Sequence, residues 1–318
     1  MPASAHLTVS AIIPTKNRPD ELLLVVRGLL AQSVLPSQVI IIDQSESDEG
    51  RILVEHEFND APENIRQSIR LDYVSDARIT GLAVARNRSM KIALGSVWLF
   101  LDDDVELESD FVEQLLKVYS ASPDAGGVSG VITNYLPPSR TFRLWASIFF
   151  RGPFHDERQP IYWNCDRLRN ARPIPVHKFG GGLMSFRADL MGGRTFDTNL
   201  TGVSLAEDVD FCARLPKTKL LITPGARLVH KRNAVGRAQD HWLRAEVQAS
   251  YYLYGRNWKH GFKNRLCFFW LNIGFGAMIA MLCIKRRSLE AWHSFNAGRR
   301  VAEKILQANR SVPITDFQ

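Results

Sequence analysis

Three consecutive carboxylates, Asp102, Asp103 and Asp104, follow directly on the apolar run Val97-Trp98-Leu99-Phe100-Leu101. Carboxylates packed that closely repel one another unless a cation sits among them, and hard oxygen ligands suit Mg²⁺ or Mn²⁺. A cation so held can stabilise charge that develops on a phosphate leaving group. A second acidic cluster, Glu207-Asp208 with Asp210 close behind, offers a carboxylate that could take a proton from an attacking hydroxyl. Plainer readings stand beside these. An acidic triplet can be a charged turn leaving a strand, Glu207 has capping-box spacing from Ser204, and Asp210 and Arg214 have the spacing of a surface i,i+4 pair. Asp208 is left without a structural task.

The elements that must hold these groups follow from the apolar pattern. Residues 7–13 form a short apolar strand that ends at Pro14-Thr15-Lys16-Asn17-Arg18. Asp20 can cap the next helix, whose apolar positions Leu22, Leu23, Val26, Leu29 and Leu30 keep a 3.6-residue period. A second strand, residues 38–43, again ends on a carboxylate, Asp43, so the first two strands and their helix make a parallel βαβ unit. A helix over 50–58, a strand at 69–74, a helix from Gly81 to Leu94, the strand 97–101 and a helix over 109–120 continue the alternation. The expected class is therefore α/β, a mostly parallel sheet with helices on both faces, and ligands of such sheets gather at the carboxyl ends of the strands. No GxGxxG follows the first strand and no GxxxxGK[ST] occurs, which argues against dinucleotide-binding dehydrogenases and P-loop NTPases.

Beyond residue 135 the pattern is harder to read, and the Pro-rich, aromatic tract to 178 is expected as an insertion over the sheet's open edge. Gly180-Gly181-Gly182 before the apolar strand 183–187 is either a plain turn or a place where backbone lies close to a ligand. A helix beginning near Glu207, a strand at 220–222, a break at Thr223-Pro224-Gly225 and a strand ending in His230 complete this part.

Composition is that of a globular protein, with 45% apolar and 23% charged residues, and its net charge of +7 is unevenly spread. From Arg256 to Gln318 there are 11 lysines and arginines against 3 acidic residues, which puts +8 in this tail and −1 in residues 1–255. Within it, Leu266 to Ile284 is 19 residues without a charge, flanked by Lys263 and Arg265 before and Lys285-Arg286-Arg287 after. That length suits a membrane span, a helix lying in the interface, or a buried core helix. Residues 288–308 form an amphipathic basic helix suited to an anionic membrane surface. The division expected is a catalytic domain over 1–255 and a helical membrane-associating region over 256–318. The four cysteines have no CxxC or zinc spacing, and no signal peptide is evident, so a reducing cytosol is expected for the catalytic part.

Six pieces then occur in order: Ile12-Ile13-Pro14-Thr15-Lys16-Asn17-Arg18, Ile41-Ile42-Asp43-Gln44-Ser45, Ala85-Arg86-Asn87, Leu101-Asp102-Asp103-Asp104, Gly181-Gly182-Leu183-Met184-Ser185-Phe186-Arg187 and Ala206-Glu207-Asp208-Val209-Asp210. The succession, over about residues 8–235, resembles the family 2 inverting glycosyltransferases of GT-A fold, especially bacterial rhamnosyltransferase-like members. The resemblance implies transfer of a sugar from a nucleotide-diphosphate sugar to a hydroxyl of a cell-envelope or lipid-linked glycan. It implies that Pro14, Thr15, Asn17, Arg18, Asp43, Arg86 and Asp103 bind the nucleotide sugar, and that Asp102 and Asp104, with His230, hold Mg²⁺ or Mn²⁺. It further implies that Asp208 is the catalytic base with Glu207 beside it, and that Gly181, Gly182 and Arg187 belong to a donor-sugar and acceptor loop. The family's usual Gly before the Glu-Asp pair is Ala206 here, a departure expected to matter little. The expected location is the cytoplasmic side of the inner membrane, reached through 256–318.

The alternatives are a nucleotidyltransferase acting on sugar phosphates, or a non-catalytic membrane-bound protein that binds nucleotides or nucleic acid. The first lacks a Gly-rich basic loop after the first strand. Nucleic acid is not expected as a partner, because the basic residues bracket an apolar stretch rather than form a stripe with exposed aromatics.

Overall fold

The structure, a computed structural model, describes residues 7–200, 206–231 and 239–311. The chain forms two compact units. The first comprises Met1–Tyr135, Arg158–Thr198 and Glu207–Arg232, and the second Leu136–Glu157, Asn199–Ala206 and Asn233–Gln318.

In chain order the first unit opens with β1 (Val9–Thr15), α1 (Pro19–Leu30), β2 (Gln38–Asp43), α2 (Glu49–Asp60), α3 (Glu63–Ser68), β3 (Arg70–Ser75), α4 (Leu82–Met90) and β4 (Val97–Leu101). β5 (Val105–Leu107), α5 (Phe111–Ala121) and β6 (Ala125–Ile132) follow. The second unit then contributes α6 (Arg140–Phe149). The chain returns to the first with α7 (Arg158–Trp163), β7 (Ile174–Val176), β8 (Leu183–Arg187), α8 (Ala188–Met191), α9 (Glu207–Arg214) and β9 (Lys219–His230). α10 (Gln239–Leu253), α11 (Phe262–Arg286) and α12 (Glu290–Ser311) complete the second unit.

β1 and β2 are buried at every residue, as continuous apolar runs require when helices cover both faces of a sheet. Alternate residues serve opposite cores. Ala11, Ile13, Val39, Ile41, Leu99 and Leu101 pack with the helices α1 and α5, whereas Ile12, Ile40, Ile42 and Phe100 join Phe179, Phe186, Phe196 and Phe211. α1 presents Leu22, Val25, Val26, Leu29 and Leu30, so Val25 takes the core position expected of Leu23. Asp20 lies in the first turn of α1, where its charge complements the helix dipole, and the cap position is Arg18.

The strand order is β3-β2-β1-β4-β8-β6-β9-β5, with β7 also paired to β9. The expected Rossmann-like alternation holds from β3 to β4, all parallel. Beyond β4 the sheet is mixed, because β8 runs antiparallel to both β4 and β6, and β5 and β7 run antiparallel to β9. Order reverses between β1 and β4, which makes the crevice at their carboxyl ends the topological switch point.

β9 is one strand rather than the two expected around Pro224. Ser129 pairs with Ile222 and Val131 with Arg227, so the residues between them on β9 bulge opposite Gly130. β7 pairs only to Ile222 and β5 starts at Leu228, so no ladder asks Pro224 for an N–H.

In the second unit α11 buries the stripe Leu271, Gly274, Phe275, Met278 and Ile279. Trp145 of α6 donates its Nε1 proton to the Gly274 carbonyl at 3.1 Å, and Phe275 lies near Phe295 of α12 at 6.1 Å between ring centres. Among the described residues α11 is the one helix long and apolar enough to cross a membrane, by length and composition, and 33% of its most apolar stretch is buried.

β6 depends on Tyr119. Its hydroxyl, fully buried, accepts from Val128 N–H at 3.0 Å and lies 3.0 Å from Ser185 Oγ, which itself donates to the Val128 carbonyl. Tyr119→Phe strands a buried amide and is expected to lower stability by about 2 kcal/mol. Equilibrium denaturation checks this, and an unchanged midpoint would contradict it.

Candidate active site

The first-unit elements bring most of the singled-out side chains to the switch point. Thr15 closes β1 and donates its hydroxyl to Asp103 Oδ2 at 2.7 Å. Arg18, at the head of α1, reaches Asp103 Oδ1 at 2.9 Å and Asp104 Oδ2 at 3.4 Å. The short strand β5, absent from the sequence-level expectation, pairs Val105 with His230 at the end of β9. That pairing sets His230 Nε2 2.8 Å from Asp104 Oδ1 and 3.7 Å from Asp102 Oδ2. Asp102, Asp104 and His230 can each offer one ligand atom, all within 4.8 Å of one another.

Beside this cluster Thr15, Asn17, Arg18, Asp43, Ser45 and Glu49 line a cleft of ≈ 170 Å³. Asp43 is buried, accepting from the Ser45 amide at 2.9 Å and the Tyr73 hydroxyl at 2.6 Å. Asn17 adopts a φ of 55°, a region in which Asn is more at ease than most residues, and its backbone N–H donates to Ser45 Oγ at 2.7 Å. Pro14 stays buried inside β1, paired with Ile42.

Arg86 departs most from its expected place among the nucleotide contacts. It is fully buried in α4, and its guanidinium donates to Glu207 Oε1 at 2.9 Å and to the Gly181 carbonyl at 2.5 Å, with Asp102 Oδ1 3.6 Å away. The Phe196 ring lies 5.4 Å beneath it. Glu207 is therefore bound to Arg86, while Ser204, the proposed capping partner, lies outside the described residues. Asp208 accepts from the Val209 amide at 2.8 Å and stands 4.0 Å from Arg158, a residue that no sequence signal singled out.

Gly181 and Gly182 thread between the two acidic groups. A Cβ on Gly181 would stand 2.8 Å from Glu207 Oε1, and one on Gly182 2.6 Å from Asp102 Oδ2, so a side chain at either would push these carboxylates out of place. Arg187 is not brought to the site. β8 runs antiparallel to β4, so Leu183 meets Leu101 while Arg187 meets Val97 at the far end, where its guanidinium binds the carbonyls of Tyr119 and Ala125. Ala206 has a φ of 77°, so the missing glycine does carry a backbone cost, roughly 1 kcal/mol. Asp210 pairs with Arg214 at 2.8 Å as expected, but it is fully buried.

Burial pushes the Asp102 and Asp103 carboxyls above the usual carboxylate range, against the pull of Arg86 and His230 on one and of Thr15 and Arg18 on the other. Burial acts in the same sense on Asp104, but the hydrogen bond and charge of His230, with Arg18, hold it below that range. Burial and then the charge of Asp208 push Glu207 up. Two carboxylates and an imidazole at one point, with charge only partly offset, form a donor set that fits a divalent cation.

Residues 10–189 match the family described as Glycosyl transferase family 2. Over 218 residues the sequence is 27% identical to a glucosyl-dolichyl phosphate glucuronosyltransferase of Haloferax volcanii. That match covers 65% of this chain and 63% of the relative, so the chain spans less than two thirds of the relative's length. The fold is similar to that of a mannosyltransferase from Pyrobaculum calidifontis in complex with GDP-Man and Mn²⁺. There the TM-score is 0.57 at 15% identity, over 97% of this chain and 89% of that one.

Removal of the buried cation should cost more than removal of an exposed one. Arg86→Met leaves Glu207 buried without its partner and is expected to destabilise the protein by about 3 kcal/mol or more. Arg18→Met, at a side chain 41% exposed, is expected to cost under about 1 kcal/mol. Urea midpoints of the two variants compare them, and equal shifts would contradict the assignment.

Proposed function

The chain belongs to glycosyl transferase family 2; from that premise we propose that it is a glycosyltransferase performing a metal-dependent, inverting transfer of a sugar from a nucleotide-diphosphate sugar to an acceptor hydroxyl. The observation that carries this reading is the convergence of Asp102, Asp104 and His230 at the switch point, within one side chain of the Arg86–Glu207 pair. In it, Asp102, Asp104 and His230 hold the cation, and the imidazole in an otherwise oxygen set favours Mn²⁺ over Mg²⁺. A divalent cation there supplies positive charge to the departing diphosphate.

The chain's own residues do the rest. Thr15 and Arg18 fix Asp103 and keep it from the cation site, while the cleft bounded by Asn17, Asp43 and Ser45 receives the nucleoside. Asp208 accepts the acceptor's hydroxyl proton as that oxygen bonds to the anomeric carbon and the bond to the diphosphate oxygen breaks. One base suffices for such a displacement, and no covalent nucleophile is needed. Arg86 holds Glu207 and the Gly181 carbonyl, so that Asp208, next along the helix, is presented from a fixed backbone.

The acceptor proposed is a lipid-linked or cell-envelope glycan met at the cytoplasmic face of a membrane, with the region 256–318 attaching the enzyme there. The +8 charge of that region, its apolar helix α11 and the lipid-phosphate acceptor in the Haloferax relative's name support this. A deoxyhexosyl donor of the rhamnosyl kind belongs to the same reading, and a panel of nucleotide sugars scored by transfer and slow donor hydrolysis tests it.

Chelation is expected to abolish transfer and loosen donor-nucleotide binding, and Asp104→Ala to do the same with native circular dichroism. Full activity in excess EDTA would remove the metal from the reading. Asp208→Asn is expected to slow transfer on the order of 10²-fold or more while donor affinity changes little. Single-turnover rates beside nucleotide titration separate the two quantities, and a loss confined to donor affinity would unseat Asp208 as the base.

A further inference from the structure

The second unit leaves one apolar face uncovered. Opposite its buried stripe, α11 exposes Phe262 (74%), Leu266, Phe269 (65%), Trp270, Ile273 and Ile284 (78%). These recur at helical spacing over roughly 33 Å, and no charge interrupts them between Arg265 and Lys285. α6 widens the face. Trp270 donates its Nε1 proton to the Ile148 carbonyl at 2.9 Å and its ring lies 5.4 Å from Phe149. Exposed Leu144 and Ile148 thereby continue the patch sideways. An apolar surface of this extent is uncommon on a soluble monomer and marks a docking site.

We infer that α6 and α11 together seat this protein in the surface of an anionic lipid bilayer, with α11 lying in the interface and not crossing the membrane. The inference rests on the membrane association proposed above and deepens it, since α6 lies outside 256–318. Charge complementarity selects the partner: exposed Arg140, Arg151, Lys263, Arg265 and Lys285 stand at the ends of the two helices. Geometry selects the mode. The other side of α11 is already occupied, by Trp145 on the Gly274 carbonyl, by Tyr251 hydrogen-bonded to Asn272, and by Phe295 against Phe275. A crossing helix would carry these neighbours into hydrocarbon, among them α12 with exposed Arg299, Arg300, Glu303 and Lys304. An interfacial helix buries the open face alone and leaves its polar neighbours in water.

Flotation of the full-length protein with phosphatidylglycerol–phosphatidylethanolamine vesicles, against phosphatidylcholine alone, tests this. The double variants Leu144→Glu/Ile148→Glu and Phe269→Glu/Ile273→Glu change only exposed side chains, and unaltered thermal unfolding verifies their fold. Each is expected to lower partitioning onto the anionic vesicles by about tenfold or more, with donor-nucleotide binding unchanged. Carbonate should release the wild-type protein, and its tryptophans should be quenched more by lipids brominated near the headgroup than near the bilayer centre. Wild-type flotation with no effect of the α6 variant overturns the inference and leaves membrane association standing; no wild-type flotation removes both. Carbonate resistance with stronger quenching from the bilayer centre indicates a span and overturns the in-plane seat. A wild-type dimer that the variants split, without vesicle binding, assigns the face to a second copy and overturns it as well.

Discussion

The site depends on one guanidinium with no exposure to solvent. Arg86 is surrounded by a carboxylate from α9, a carbonyl from the glycine segment before β8, and the first carboxylate after β4. A charge withdrawn from water that completely is tolerable only when paired and hydrogen-bonded, and three distant segments must come to it for that to happen. The same requirement explains the glycines. A side chain at Gly181 or Gly182 would have to displace the Glu207 or Asp102 carboxylate from its present place. The pair fixes the start of α9, where Asp208 lies, while Phe211 anchors the rest of that helix against Phe196.

A second constraint comes from the change of strand direction at β4. The parallel half places Thr15, Asp43 and Asp102 at one end of the sheet, because parallel strands share a carboxyl end. The mixed half places His230 there as well, because β9 runs parallel to β6 and so in the direction of β4, and its carboxyl end meets β5 directly after the acidic triplet. A cluster of oxygen and nitrogen donors thus forms from two strands that are far apart in sequence, and the Lys231 amide closes it by donating to the Asp104 carbonyl at 2.7 Å.

The second unit follows a different logic. α11 is apolar nearly all round, yet its neighbours cover only one side, with aromatic packing from α6 and α12 and one half-buried amide, Asn272, tied to Tyr251. Such a helix is under-buried as a core element and over-packed as a lone span. The in-plane seat inferred above answers both halves of that description.

Much of the fold was legible in the chain. Strands 38–43 and 97–101, buried throughout apart from the half-buried Trp98, were readable at their full length, because both faces are largely apolar and the run cannot be confused with an amphipathic period. The ends of β2 and β4, and therefore Asp43 and the acidic triplet, followed from them, whereas β1 runs two residues past its expected end, to Thr15. What sequence could not decide was pairing between distant segments. β5 is three residues long and has no local signature; only β9 makes it a strand, and only that pairing gives His230 its neighbours. Pro224 reads as a break until the bulge opposite Gly130 shows that its missing N–H is never needed. Arg187 reads as part of a glycine loop until strand direction carries it to the opposite end of the sheet. Arg86 reads as a nucleotide contact until the fold shows it buried on Glu207 and the Gly181 carbonyl, since burial of a charge depends on what the rest of the chain folds around it. Local periodicity records which face of an element is apolar, whereas direction, register and the partners of a buried charge are properties of the assembled sheet, and those only the tertiary structure decided.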